Sequence, residues 1–174
     1  MNDNRNPGWS REKIERELKA GLGVQKVIWL PGVRGKDITD GHIDGMVRIV
    51  RPGVLILGTR PGDKTSEWAL ARAEAKRILS AATDARSRRF QIVEIPRAEQ
   101  VRSTREGFFS GYANYYVGNG AVYTPQFGDA TTDAHAVATL TRLFPTRTVV
   151  SLDVDRIYEN GGGIHCVTQQ QPLV

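Results

Sequence analysis

The sequence holds one cysteine in 174 residues, Cys166, so no disulfide can form within the chain. With no export signal visible in the polar N-terminus MNDNRNPGWS, a reducing cytoplasm is the expected location. No apolar run approaches the roughly 20 residues that a membrane-spanning helix needs. A phosphate-binding glycine loop is also missing: GNGAVY, Gly118 to Tyr123, lacks the third glycine and following helix of a dinucleotide fingerprint. The formal charge is +5, from 24 Lys and Arg against 19 Asp and Glu. The excess is scattered, and its densest cluster, Arg86-Ser87-Arg88-Arg89, reads as a solvated turn rather than a nucleic-acid surface. A cationic protein is an unusual host for a cationic ligand unless the pocket itself is acidic. What remains is an ordinary globular composition, 40% hydrophobic and 25% charged, long enough for one domain with a real core.

The single cysteine stands in a telling place. Glu159 to Gln170 reads ENGGGIHCVTQQ, with three glycines, Gly161 to Gly163, just upstream of His165 and Cys166. Glycines let backbone approach a ligand closely or take positive φ. The polar Thr168 and Gln169 follow where a core strand would carry aliphatics. An inert buried thiol is the plain alternative, but a tight, partly exposed turn is the setting a nucleophilic thiol requires. Upstream, Asp40-Gly41-His42-Ile43-Asp44 sets a histidine and an aspartate two residues apart. On an extended segment these side chains point the same way, so His42 and Asp44 would face one pocket. Thiolate, proton shuttle and carboxylate together suggest covalent catalysis on a cationic substrate. A rival reading makes His42, Asp44, His165 and Cys166 ligands of a zinc ion, although their spacing is unlike the usual paired-ligand motifs.

TDGHID at Thr39 to Asp44 and GGGIHCVTQQ at Gly161 to Gln170 resemble the agmatine deiminase and bacterial-type peptidyl-arginine deiminase family of the pentein superfamily. NRNP at Asn4 to Pro7, KVIWLPG at Lys26 to Gly32 and NYYVGNGAVYTPQFGD at Asn114 to Asp129 resemble it in the same order. The likeness covers nearly the whole chain but only the C-terminal portion of the longer family enzymes. It implies an α/β fold: a partial pentein-type α/β propeller of repeated ββαβ units, about half of the full fold. It also implies hydrolysis of a guanidino group, agmatine going to N-carbamoylputrescine and ammonia, as in putrescine biosynthesis. Cys166 would be the nucleophile, forming a thiouronium, His42 the acid and base, and Asp44 the carboxylate that holds the guanidinium, with Gly162 and Gly163 also binding substrate and Asp40 either doing so or capping its own loop. No cofactor and no metal are implied. The partners expected are a small guanidino substrate, agmatine or arginine-like, and a second copy or an N-terminal half chain, with neither nucleic acid nor membrane. The family's RDxGP-type and EGG-type acidic motifs are absent from these residues, so the chain alone is expected to be a weak catalyst or none. The alternative is a catalytically incomplete remnant or interaction module.

Pattern predicts a helix from Ser10 to Leu22 and a strand at Val24 to Leu30. Two ββαβ units follow, roughly 44–96 and 111–153, ahead of a Cys loop at 159–170. In the first, strands Met46 to Val50 and Val54 to Leu57 flank Arg51-Pro52-Gly53, then a helix spans Thr65 to Ala82 and a strand Phe90 to Ile95. In the second, strands Tyr112 to Val117 and Ala121 to Thr124 flank Gly118-Asn119-Gly120, then a helix spans Thr132 to Phe144 and a strand Thr148 to Leu152. A short helix is expected at Val154 to Tyr158. His165 is expected to point away from the pocket, as support. Asn114, Tyr115 and Tyr116 are candidates for pocket lining, at least one of them for the core. Trp29 and Trp68 are expected in the core or on the surface.

Overall fold

The computed structural model describes residues 6–36 and 39–171; Asn4 and Arg5 of the NRNP motif lie outside them. Helix α1, Arg11–Leu22, starts where Ser10 Oγ accepts the Lys13 N–H at 3.2 Å and stops at Gly23, whose φ of 64° is left-handed. No residue of α1 is buried. The strand expected at Val24 to Leu30 does not form. Ile28 and Leu30 do pack against the core at period two, but alternation fixes only which face is buried. A strand also needs a backbone ladder to join.

The first ββαβ unit is built of β1 (Val47–Arg51), β2 (Val54–Thr59), α2 (Glu67–Ala81) and β3 (Gln91–Pro96). β1 and β2 form a hairpin turned at Gly53, φ 79°. β3 returns parallel to β2 after α2 crosses over, giving the order β1-β2-β3. β2, VLILGT, is buried on both faces from Val54 to Gly58, as a central strand under a crossover helix must be. α2 covers one face, where Ala75 and Leu79 meet Met46, Val47, Leu55 and Leu57.

The second unit repeats the plan with β4 (Tyr116–Val117), β5 (Ala121–Gln126), α3 (Ala130–Leu143) and β6 (Thr148–Asp153). β4-β5 is antiparallel and β5-β6 parallel. A short helix α4, Asp155–Tyr158, leads into the Cys turn. β4 is shorter than expected because Tyr112 to Tyr115 leave the sheet. Tyr112 and Ala113 form a turn, and the Tyr112 hydroxyl reaches Thr132 Oγ1 at 2.9 Å and Asp133 Oδ1 at 2.7 Å on α3. The helix starts are set by caps rather than hydrophobic period: Ser66 accepts the Ala69 N–H and Asp129 the Thr132 N–H.

The units share one core. Val54, Ile56 and Ile95 of the first sheet meet Tyr115, Val122, Phe127, Leu140 and Tyr158. Phe127 makes edge contacts with Tyr112, Phe108 and Tyr158 at centroid distances of 5.1–5.7 Å. No helix among the described residues is long and apolar enough to cross a membrane.

Candidate active site

Three turns converge beside this core: residues 42–45 before β1, 112–115 before β4, and the turn after α4. In the first, Thr39 Oγ1 accepts the N–H groups of Gly41 and His42 at 3.2 and 3.1 Å. Gly41 has φ 98°, and a Cβ there would stand 2.9 Å from the Trp68 ring. The backbone then tightens into a 3-10 turn, Ile43–Gly45, instead of running extended through Asp44.

Asp44 is the hub. Its Oδ2 lies 2.7 Å from His165 Nδ1, 3.0 Å from Asn114 Nδ2 and 3.5 Å from Cys166 Sγ. Burial opposes its ionisation, but hydrogen bonds from His165 and Cys166, with the charges of His165 and His42, together hold its carboxyl below the usual range. An ionised carboxylate only accepts, so His165 Nδ1 carries the proton in this contact. Asn114, 1% exposed, bridges the network: Nδ2 also lies 3.4 Å from Cys166 Sγ, and Oδ1 accepts the His165 N–H at 2.9 Å.

The Cys turn is held from beneath. The buried Tyr158 hydroxyl donates to Asn114 O at 3.3 Å and accepts the Ile164 N–H at 3.4 Å. Burial raises its pKa, so the phenol stays protonated. Gly163 fits against these groups so closely that a Cβ would stand 2.6 Å from Tyr158 Cζ and collide with Asn114 Oδ1. Arg48 on β1 braces the other side, donating through Nη1 to Tyr115 O at 2.7 Å with its guanidinium 4.6 Å from the Tyr115 ring centroid. The backbone on both sides of Asn114 is thus fixed.

Cys166 itself is exposed. It opens with His42, Asp44, Trp68, Asn114 and Gly162 onto a cavity of about 610 Å³. His42, Asp44 and Cys166, from opposite ends of the sequence, therefore share one cavity. Two expectations need correction, those for His165 and Gly163. His165 does not point away: residues 165–167 form a 3-10 turn, where successive side chains step about 120°, so both His165 and Cys166 reach Asp44. Of the two readings of Asp40, the loop cap is the one seen: it takes φ 54° and accepts the Gly35 N–H, and it does not line the cavity. Gly163 is buried behind Asn114, whereas Gly162 lines the cavity. Trp68 lines the cavity too, brought there by the first turn of α2. Of the three Asn114–Tyr116 candidates, Asn114 joins the site, Tyr115 is core and Tyr116 lies on β4. Sequence reasoning gave Arg48 no role, because a basic residue on a strand carries no local signal of what it bonds. Among the described residues, no three His, Cys, Asp or Glu side chains are grouped to hold a metal ion.

An exposed thiol beside an ionised carboxylate and a primary amide can present a nucleophile to a cation. The model of the Porphyromonas-type peptidyl-arginine deiminases matches residues 1–172. The chain belongs to this deiminase family. An agmatine deiminase from Medicago truncatula is 40% identical over 194 residues, covering 100% of this chain and 52% of the plant protein. The structure of the agmatine deiminase of Enterococcus faecalis superposes with a TM-score of 0.87 at 28% identity, covering 98% of this chain and 51% of that one. The α/β fold is therefore that of the deiminases, and the chain spans about half the length of these relatives.

Proposed function

We propose that this chain carries the cysteine side of a guanidino-group hydrolase site, with agmatine, the substrate named for its relatives, the first to test. The observation that carries the reading is the contact of Cys166 Sγ with both Asp44 Oδ2 and Asn114 Nδ2 at the mouth of one cavity. Asp44 accepts N–H bonds from the planar guanidinium, whose fork suits a carboxylate. The Cys166 thiolate attacks the guanidinium carbon, forming a C–S bond. The tetrahedral adduct collapses with loss of ammonia, protonated by His42, and leaves a thiouronium on sulfur. His42 then takes a proton from water, which adds to the same carbon; the C–S bond breaks, releasing the ureido product and the thiolate. His165 orients the Asp44 carboxylate, and Asn114 holds thiol and carboxylate in register.

In this reading the two ββαβ units are part of a radial pentein array. The chain supplies Asp44 but not the family's other acidic motifs, so turnover by these residues alone is weak. Losing two charge-assisted contacts of roughly 1.5–3 kcal/mol each costs about two to four decades in rate. The test is ammonia release from agmatine, arginine and a peptidyl-arginine, comparing the chain with Cys166→Ala, alone and with the remaining half of a relative added. Cys166-dependent turnover restored by the added half supports the reading. No turnover in either case favours an interaction module.

A further inference from the structure

Trp68, the second residue of α2, is placed by a doubly fastened turn. Asp63 Oδ1 accepts the Ser66 N–H at 3.1 Å, and Ser66 Oγ accepts the Ala69 N–H at 3.1 Å. The indole is half-buried, yet it belongs to neither hydrophobic core. Among the described residues it stacks on no ring and holds no cation. It borders the cavity instead, with its outer edge against the backbone that leads into His42. A Cβ on Gly41 would stand 2.9 Å from Trp68 Cη2, 3.3 Å from its Cζ3 and 3.4 Å from Gly32 Cα.

This turn is packed in layers. A Cβ on Gly32 would stand 2.6 Å from the Asp40 carbonyl oxygen; Gly41 follows at φ 98°, and the indole edge closes the far side. Thr39 Oγ1 accepts the Gly41 and His42 N–H groups from within, at 3.2 and 3.1 Å. Lys36 and Glu67 pair at 2.9 Å across the same junction, but both are more than half exposed, and such a pair holds little. The ring contact is the apolar one, and truncating the ring leaves a void beside Gly41. From Gly41 the chain runs straight to the chemistry. His42 caps the 3-10 turn that carries Asp44, its carbonyl accepting the Gly45 N–H at 3.2 Å. Where Gly41 sits therefore sets where the His42 imidazole enters the cavity. We propose that Trp68 is a positioning residue for His42, its indole edge fixing the Gly41 turn so that the imidazole stays in the cavity with the Cys166 thiol. This rests on the guanidino reading above, in which His42 is the acid and base, and adds the group that holds it there.

A ring that only walls the cavity would act on Cys166 whether or not His42 is present; a ring that acts through His42 would not. A double-mutant cycle separates the two. The measurement is the rate of Cys166 alkylation by iodoacetamide in the 174-residue chain, for wild type, Trp68→Ala, His42→Ala and the double variant. Amide hydrogen exchange at Gly41 and His42 is followed alongside. A base next to a thiol raises its thiolate fraction, so His42→Ala is expected to slow alkylation about tenfold. Trp68→Ala should slow it about threefold or more, and the double variant should react no more slowly than His42→Ala. The Gly41 and His42 amides should exchange about tenfold faster in Trp68→Ala, while those of β2 keep their wild-type rates. Equal slowing by Trp68→Ala with and without His42 overturns the proposal and leaves the guanidino reading standing. Unchanged alkylation or unchanged exchange in Trp68→Ala does the same. A wild-type rate for His42→Ala overturns both, since His42 is then not the base. If Trp68→Ala does not fold, Trp68→Leu replaces it, an apolar side chain too short to reach Gly41, with the same expected outcomes.

Discussion

Replacing Gly163 with alanine separates support of the site from lining of it. A Cβ at Gly163 would stand 2.6 Å from Tyr158 Cζ and 2.7 Å from its hydroxyl, and would overlap Asn114 Oδ1. Neither neighbour can yield cheaply. Tyr158 is fully buried between Phe127 and Phe109, and Asn114 Oδ1 holds the His165 N–H at 2.9 Å. Overpacking a filled core costs about 1–3 kcal/mol, and losing one buried hydrogen bond adds about 1 kcal/mol. Gly163→Ala should therefore lose about 2–4 kcal/mol in urea denaturation followed by tryptophan fluorescence. Its thiol should also lose the rate enhancement that register with Asp44 provides. Gly162→Ala is the control. There a Cβ meets Cys166 Cβ at 3.5 Å and Sγ at 3.6 Å, ordinary contact, at a φ that alanine tolerates. Its stability should stay within about 1 kcal/mol of wild type. If the two variants unfold at the same denaturant concentration, the packing of Asn114 and Tyr158 against the Cys turn does not support the site as argued here.

Three further outcomes follow from the same network. The Asp44 carboxyl is held below its ordinary range in the fold, so its stabilising contribution is present above the unfolded carboxylate pKa of about 4 and fades as pH falls through the folded value. The stability gap between wild type and Asp44→Asn should accordingly be widest at neutral pH and close in acid; a gap constant from pH 7 to pH 3 would contradict this. Arg48→Met removes the donor to Tyr115 O and should cost about 1–3 kcal/mol while slowing Cys166 alkylation; unchanged alkylation would dismiss Arg48 as a clamp on Asn114. Tyr112→Phe removes hydroxyl contacts to Thr132 and Asp133 and should cost about 1 kcal/mol without changing thiol reactivity, as measured by the same two assays.

The repeated ββαβ order was legible because its signals are local. Arg51-Pro52-Gly53 and Gly118-Asn119-Gly120 mark the hairpins, and apolar runs flank them. That His42 and Cys166 could open onto one cavity was suggested by residue chemistry and by the family likeness. The errors lie where tertiary contacts override local pattern. Val24 to Leu30 reads as a strand from its apolar, β-branched run yet joins no ladder among the described residues. Tyr112 and Ala113 leave β4 because a tyrosine hydroxyl and α3 hold them elsewhere. His165 was assigned outward by assuming extended backbone, and the 3-10 turn reverses that.

The central claim is that Cys166 sits in a pocket built for a guanidinium, with Asp44 as its anionic wall. The most direct measurement compares Cys166 alkylation by a haloacetamidine, a cationic amidine, with alkylation by neutral iodoacetamide, in wild type and Asp44→Asn. The account predicts a faster reaction with the amidine in wild type and a preference reduced by about tenfold in Asp44→Asn, the scale of one charge-assisted hydrogen bond. Equal rates for the two reagents, or a preference untouched by Asp44→Asn, would contradict it.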